Sequence, residues 1–349
     1  MNKQEMQKFI GDLSLTLAMA MRKIDANANG ILFFVNEEEQ MAGCLTDGDI
    51  RRFLLAGGKL DDPAFRAANK SPKSARTPEE AKALYHKKDY VMIPIVDAQG
   101  VILDLYNGDG SAVRPRSALN IPVVINAGGR GTRLEPLTRV LPKPLIPVGD
   151  LPIIEMIMKE YQTYGCDAFH IIVNYKRQLV KAYFAESENH YNIVWHDEEK
   201  PLGTGGGLSL LKGKLSGTFF FSTCDALLTA NYERMLEFHR ENKNAVTMIC
   251  AYRNLTIPYG IVEMGVNGAI EKMEEKPVLS FLTNTGTYLV EPEVIRDIPD
   301  GVPAGFPDII EMQRRKGRRV AAFPVSENDW MDMGQMAELE KMRKKLYGE

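Results

Sequence analysis

The alternation of apolar and polar stretches divides the chain into short buried strands separated by turns and amphipathic helices. Ile31 to Val35 is an unbroken apolar run of strand length, Asn36 to Gln40 is a polar turn, and Met41 to Leu45 is a second strand ending in Thr46-Asp47-Gly48-Asp49. About 60 residues on, the order repeats: Val91 to Val96, a turn at Asp97-Ala98-Gln99-Gly100, then Val101 to Leu105 ending in Tyr106-Asn107-Gly108-Asp109. A helix continues from the first unit through Ile50 to Leu55 and stops at Gly57-Gly58. Ahead of the second unit, Thr77-Pro78-Glu79-Glu80 has the form of a capping box with Pro at the first helical position. Gly110 to Asn120 is short, polar and interrupted by Pro115, and reads as a linker.

After the linker the pattern becomes that of a parallel α/β sheet. Ile121 to Ala127 is a continuous apolar run, as expected of a strand buried on both faces. The loop Gly128-Gly129-Arg130-Gly131-Thr132-Arg133-Leu134 follows at once. Pro152 then opens a helix with Ile153, Ile157 and Tyr161 on one face, Gly165 closes it, and Ala168 to Val173 is the next buried strand. In α/β proteins ligands bind at the carboxyl ends of such strands. Glycines there let backbone N–H groups approach a polyphosphate, and an Arg at the loop's end can neutralise charge. No Gly-Lys-Ser/Thr follows, so the loop is not a P-loop, and its spacing is not the dinucleotide fingerprint. A second basic element, Pro142-Lys143-Pro144-Leu145, comes instead, its prolines stiffening the backbone around Lys143.

Composition narrows the function classes. A length of 349 residues suggests two domains. Net charge is −3, residues 1–118 carry equal numbers of each sign, and neither half is basic. That argues against nucleic acid as the main partner. Cys44, Cys166, Cys224 and Cys250 form no C-x-x-C pair, against a zinc site or a disulfide scaffold and in favour of a reducing compartment. No apolar leader follows Met1 and no run of 18 apolar residues occurs, so a cytoplasmic, non-membrane protein is expected. His86, His170, His190, His196 and His239 show no ligand spacing.

The string from Ala127 to Pro147, AGGRGTRLEPLTRVLPKPLIP, closely resembles the signature of sugar-1-phosphate nucleotidyltransferases, which make nucleotide-diphosphate sugars. Later segments resemble the family's in order. Pro201-Leu202-Gly203-Thr204-Gly205-Gly206 is similar to its base-contacting loop, and Thr223-Cys224-Asp225 to its strand-end magnesium Asp, with Cys224 a departure from the more usual Gly. Tyr259-Gly260-Ile261-Val262, Glu274-Glu275-Lys276-Pro277 and Asn284-Thr285-Gly286 resemble its sugar-side segments, and Trp330-Met331-Asp332-Met333-Gly334 the loop of the second metal-binding Asp.

The resemblance implies a Rossmann-like, GT-A-like mixed sheet flanked by helices over residues 120–349. It assigns the nucleotide to Ala127, Gly128, Gly129, Gly131, Thr132, Arg133, Lys143, Pro201, Gly203 and Thr204. The sugar phosphate falls to Tyr259, Gly260, Glu275, Lys276, Asn284 and Gly286, and Mg2+ to Asp225 and Asp332. Arg133, Lys143, Asp225, Lys276 and Asp332 are the implied catalytic set. Taken singly, each has a plainer reading: Asp225 as a turn or cap residue, Lys276 as a surface lysine, Trp330 as core. All of the groups that the chemistry requires are nevertheless present, which disfavours a non-catalytic nucleotide-sugar-binding regulator.

Residues 1–115 resemble a tandem pair of CBS modules, an α+β domain that dimerises or binds adenine nucleotides. Thr46, Asp49 and Asp109 match that family's nucleotide-holding positions, Tyr106 departs from them, and the two Asp residues can equally cap helices. A CBS pair ahead of such a domain, with the Pro-Lys-Pro-Leu cluster, resembles the guanylyltransferases of legionaminic acid biosynthesis. GTP and glucosamine 1-phosphate are then the expected substrates, with mannose 1-phosphate or a heptose 1-phosphate as alternatives, and a homo-oligomer is expected.

Overall fold

The computed structural model describes residues 3–27, 29–87, 90–108 and 118–348. Asp109 and most of the linker, 110–117, lie outside them. The chain divides into two compact units, Met1–Pro115 with Tyr252–Phe281, and Arg116–Ala251 with Leu282–Glu349.

In the first unit β1 (Ile10–Asp12), α1 (Leu17–Asn27), β2 (Ile31–Val35), β3 (Met41–Thr46) and α2 (Asp47–Leu55) come first. They are followed by α3 (Pro78–Lys87), β4 (Ile93–Val96) and β5 (Ile102–Tyr106). β2 pairs parallel with β1 and antiparallel with β3, and β4 with β5 form a separate antiparallel hairpin. The period-two alternation of β2 fills two cores. Leu32 and Phe34 pack under α1 with Leu17 and Ile24, while Ile31 and Phe33 face Met92, Val96 and Leu105. Thr77 caps α3 as expected, its Oγ1 accepting from Glu80 N at 3.2 Å.

The second unit is a three-layer α/β/α arrangement. In chain order it contains β6 (Val123–Asn126), α4 (Ile153–Gln162), β7 (Ala168–Val173), α5 (Arg177–Glu186), β8 (Asn192–Asp197), β9 (Phe219–Thr223), β10 (Ala226–Leu228), α6 (Tyr232–Glu241) and β11 (Val246–Thr256). The chain then passes through the hairpin β12 (Ile261–Met264) and β13 (Ile270–Glu274), which groups with the first unit, and continues with β14 (Val278–Val290), α7 (Pro292–Asp297), α8 (Phe306–Arg315), β15 (Val320–Val325), β16 (Trp330–Asp332) and α9 (Met336–Tyr347). The main sheet has the order β8-β7-β6-β9-β14-β11-β15. It is mixed, because β14 runs antiparallel to β9 while β6, β7, β8 and β9 are mutually parallel.

Alternation again explains the layers. Val123, Ile125, Phe169, Ile171, Phe220 and Leu289 point to one face, under α4, α6 and α9. Val124, Ile172, Phe219, Phe221, Tyr288 and Val290 point to the other, under α7 and α8. Fully buried strands of this kind carry side chains into both layers, so they read as continuous apolar runs. Among the described residues no helix is long and apolar enough to cross a membrane.

The sequence places Tyr252–Phe281 in the second domain, whereas the contacts group it with the first unit. Tyr252 is buried there among Leu15, Leu17, Ile24 and Phe34. Chain continuity does not force spatial continuity.

A histidine pair bridges the edge strand β8 and its neighbour β7. His170 Nδ1 and His196 Nε2 are 3.0 Å apart, and Lys214 Nζ donates to His196 Nδ1 at 3.4 Å. An ammonium can only donate, so His196 carries its proton on Nε2 and donates it to His170. Burial, then the charges of Lys214 and His170, push His196 down to about 4, and burial and Lys214 lower His170 as well. The unfolded imidazole titrates near 6.5 and binds the extra proton first, so this contribution is complete above that pH and is lost as pH falls from ~6.5 toward ~4. Thermal melts across this range should therefore show a steeper loss of Tm in wild type than in His196→Gln; parallel curves would refute the assignment.

Candidate functional site

The site is built at the carboxyl ends of β6 and β9. β6 ends at Asn126, whose side-chain amide donates to Gly203 O at 3.1 Å and Thr204 O at 3.2 Å, while its Oδ1 accepts from Gly128 N at 3.3 Å. One amide thus joins the glycine-rich loop to the 201–206 loop. Ala127 and Gly128 are buried, whereas Gly129, Thr132 and Arg133 are exposed. Nothing lies within 4 Å of the Cβ that Gly129 lacks, so the backbone there is open to a ligand. Gly131 has φ +66°, and a Cβ on it would come within 3.0 Å of Lys143 Cβ, which sets Lys143 directly against the loop.

Lys143 forms an ion pair with Asp225, the two side chains 11% and 17% exposed. Burial opposes the charge on Lys143, but Asp225, Cys224 and Asp332 more than offset it, so the ammonium titrates above its ordinary value. Asp225 follows β9, and Asp332 ends β16. β10 and β16 pair antiparallel with Ala226 opposite Asp332, and Met333 N donates to Asp225 O at 2.9 Å, so strand register brings the carboxylates together across the sequence. Burial first, then the Asp225 charge, raise the Asp332 carboxyl, while Lys143, the Gly334 N–H and Arg133 work against that rise. Gly334 N donates to Asp332 Oδ1 at 2.9 Å.

A carboxyl raised by burial and by its neighbour's charge, beside a second partly buried carboxylate, suits a divalent cation. No group of three or more His, Cys, Asp or Glu that could hold a metal occurs among the described residues. Asp225 and Asp332 alone would leave most of a cation's shell to water and other oxygens, a pattern that would suit Mg2+.

The Gly205 and Gly206 N–H groups both donate to Ala304 O, at 3.0 and 3.1 Å, and Thr204 Oγ1 accepts from Phe306 N at 3.0 Å. Gly203 has φ +78°, and a Cβ on it would come 2.6 Å from Ala304 O. The loop is thus tied to the start of α8. Pro201, Gly203 and Thr204 are exposed. On β14, Gly286 has φ +80° and lies against Thr223, where a Cβ would come 2.6 Å from Oγ1, and its N–H donates to Asn284 Oδ1 at 3.0 Å.

The structure therefore gathers Gly131, Lys143, Asp225 and Asp332 into one contiguous set, with Arg133 acting on Asp332. Tyr259, Gly260, Glu275 and Lys276 belong to the segment that groups with the first unit. Within it, a Cβ on Gly260 would come 2.7 Å from Glu275 Oε2, and Lys276 takes the left-handed conformation with φ 47°. Thr46 and Asp49 are engaged with one another in a capping box at the start of α2, and Asp49 also pairs with Arg52.

One site residue is absent from the motif reading. Glu198, just after β8, is 3% exposed, and its Oε1 has no partner among the described residues. A Cβ on Gly128 would come 2.9 Å from Oε2 and one on Gly207 2.6 Å from Oε1, so the carboxyl sits between the glycine-rich loop and the turn after the 201–206 loop. Burial pushes it up to about 7, with the Leu202 N–H opposing. An acidic residue at a strand end, three residues before Pro201, is the signal that could have marked it.

Residues 122–348 match the nucleotidyl transferase family. A mannose-1-phosphate guanylyltransferase of Mycobacterium tuberculosis is 34% identical over 187 residues, covering 52% of each chain. A UTP–glucose-1-phosphate uridylyltransferase of Synechocystis is 32% identical over 197 residues, 51% of each chain. A mannose-1-phosphate guanyltransferase of Pichia angusta is 30% identical over 226 residues, 61% of this chain and 60% of that one. The chain thus spans only about half to three fifths of the length of these curated relatives. In fold, the crystal structure of HddC from Yersinia pseudotuberculosis superposes with a TM-score of 0.52 at 20% identity, covering 64% of this chain and 99% of that one.

Proposed function

The chain belongs to the nucleotidyl transferase family, and from that premise we propose that it transfers a guanylyl group from GTP to glucosamine 1-phosphate, releasing pyrophosphate. The observation that carries the reaction class is the contact chain from Gly131 through Lys143 to Asp225 and its neighbour Asp332. It joins a phosphate-cradling loop to a cation and two carboxylates in one place.

In this reading a sugar-phosphate oxygen attacks the α-phosphorus in line and pyrophosphate departs on the opposite side. The nucleophile is already anionic, so no general base is required, and the protein's task is to bring two anions together and stabilise the leaving charge. Arg133 and Lys143 serve the triphosphate, the open backbone at Gly129 approaches it, and Lys276 serves the sugar phosphate. Asp225 and Asp332 would hold the Mg2+, which supplies charge neutralisation at the phosphates.

Glu198 supports guanine as the base. Guanine presents two adjacent donors on its Watson–Crick edge, and an acceptor-only carboxylate complements both at once. Uracil presents one donor beside acceptors, a poorer match. A second sugar, mannose 1-phosphate, is favoured by the names of two of the relatives above. Residues 1–115 are read as a CBS pair on their repeated strand-turn-strand units, with adenine nucleotide as the candidate ligand and dimerisation as the other role; the cytoplasm is the expected compartment.

Pyrophosphate release, measured for each NTP against a panel of hexose and heptose 1-phosphates, tests this function. GTP with glucosamine 1-phosphate is the expected best pair. A best pair with mannose 1-phosphate would replace the sugar, preference for UTP would overturn the base, and no release from any pair would overturn the enzyme reading.

A further inference from the structure

A cavity of about 440 Å³ lies in the same unit as the glycine-rich loop, where α6 ends and β11 and β15 begin. The glycine-rich loop and Asp225 lie instead where β6 and β9 end. β9 runs between the two places: Thr218, just before it, donates to Glu291 on the cavity wall at 2.6 Å, and Asp225 follows its far end. Five residues of strand separate them, about 17 Å, so this cavity is not part of the nucleotide site.

Its wall carries more cations than acids, with Arg240, Lys243, Arg318 and Arg319 set against Glu291 and Glu293. Arg319 donates to Asn244 Oδ1 and Asn242 Oδ1, both at 2.9 Å, and these neutral amide oxygens fix the guanidinium without cancelling its charge. Neither Arg240 nor Lys243 forms an ion pair within 4 Å among the described residues. Arg318, by contrast, is paired with Asp297 at 2.6 Å. The opposing acids on the wall are Glu291 and Glu293. Glu291 is already engaged, accepting from His239 Nε2 at 3.0 Å as well as from Thr218, and the nearby Arg240 charge helps to hold its carboxyl low.

The turn that carries these cations is fixed by backbone bonds, Lys243 N to Arg240 O at 3.0 Å and Asn244 N to His239 O at 3.1 Å. A preset guanidinium gives bidentate bonds to a tetrahedral oxyanion, and a lysine adds a mobile point charge. The volume falls in the range of small-molecule sites, large enough for a phosphate with a sugar-sized body.

We propose that this cavity is a second ligand site, binding a small phosphomonoester through Arg240, Lys243 and Arg319 at the end of the sheet away from the nucleotide.

The test is calorimetric titration of the full chain with glycerol 3-phosphate, which lacks the anomeric phosphate of the proposed substrates, and with inorganic phosphate. Saturable binding of glycerol 3-phosphate at millimolar concentration or tighter is expected in wild type. It should weaken by about tenfold or more in the double variant Arg240→Ala/Lys243→Ala and stay unchanged in Arg133→Ala. If inorganic phosphate binds as well as the ester, the site takes the bare anion and the ester specificity is overturned. Absence of saturable binding, retention of full affinity in the folded double variant, or loss in Arg133→Ala would each overturn the proposal. Arg319→Gln, a change at an exposed position, serves as the second variant should the double variant fail to fold, and it too must weaken binding.

Discussion

Asp332→Asn is expected to lower kcat by about 10²–10³-fold or more while leaving the protein at least as stable as wild type. Both halves of this result follow from the geometry. Asp332 faces Asp225 through the pairing of β10 with β16, and its carboxyl is raised by burial and by the Asp225 charge. Its negative charge therefore opposes folding, and an isosteric amide removes that cost. The same charge is what a divalent cation requires, so the gain in stability comes with loss of turnover. Asp225→Asn should be equally inactive but less stable, by roughly 3 kcal/mol, because Lys143 is left buried without its partner. Initial rates of pyrophosphate release at saturating magnesium, together with Tm, separate the two variants. Near-wild-type rates in either would sink the metal assignment, and equal losses of Tm would sink the account of the ion pair.

Glu198→Gln is expected to reduce the preference for GTP over UTP by about 10–100-fold, the worth of one bidentate base contact. The Gln amide offers one acceptor and one donor, so it mispairs with guanine's two donors and suits the mixed edge of uracil. The carboxyl's position near 7 gives this prediction a pH signature. Below that pH the group is protonated and cannot accept from both guanine donors, so KM for GTP should fall as pH rises from about 6 to about 8 in wild type. The Gln variant should show no such fall. Stability moves in the opposite sense: the folded carboxyl binds its proton more tightly than the unfolded one, so its contribution declines as pH rises from ~4.5 through ~7. Glu198→Gln should accordingly melt no lower than wild type at pH 8. An unchanged GTP:UTP ratio with an unchanged pH slope would falsify the role.

The parts of this protein legible in the sequence are those whose causes are local. β2, β3, β7 and β9 are apolar runs bounded by polar turns, and the helix over 153–162 follows its four-residue spacing between Pro152 and Gly165. The plainer reading of Asp49 as a helix cap was legible for the same reason, since Thr46 and Asp49 stand three residues apart and bond each other. The glycine-rich loop announced itself because it follows a buried strand without interruption.

What local pattern could not supply depends on segments that meet from far apart. Glu198 looks like one acid in a polar run, and it becomes a buried carboxyl with an unpartnered Oε1 only because Gly128 and Gly207 lack side chains on either side of it. The bonds of Gly205 and Gly206 are equally non-local, since Ala304, about 100 residues away, accepts both N–H groups. Tyr252–Phe281 reads as continuous with the strands around it, yet Tyr252 is buried with Leu15, Leu17 and Phe34, and the segment groups with the first unit.

By itself, then, the sequence determined the strands, the helix signals and the loop chemistry of a nucleotidyl transferase, since hydrophobic period and backbone freedom are properties of neighbouring residues. Only the tertiary structure decided which carboxylate is desolvated, which donors are already engaged and which cations gather on one wall. Burial and pairing are properties of space, and the chain fixes them only once it has folded.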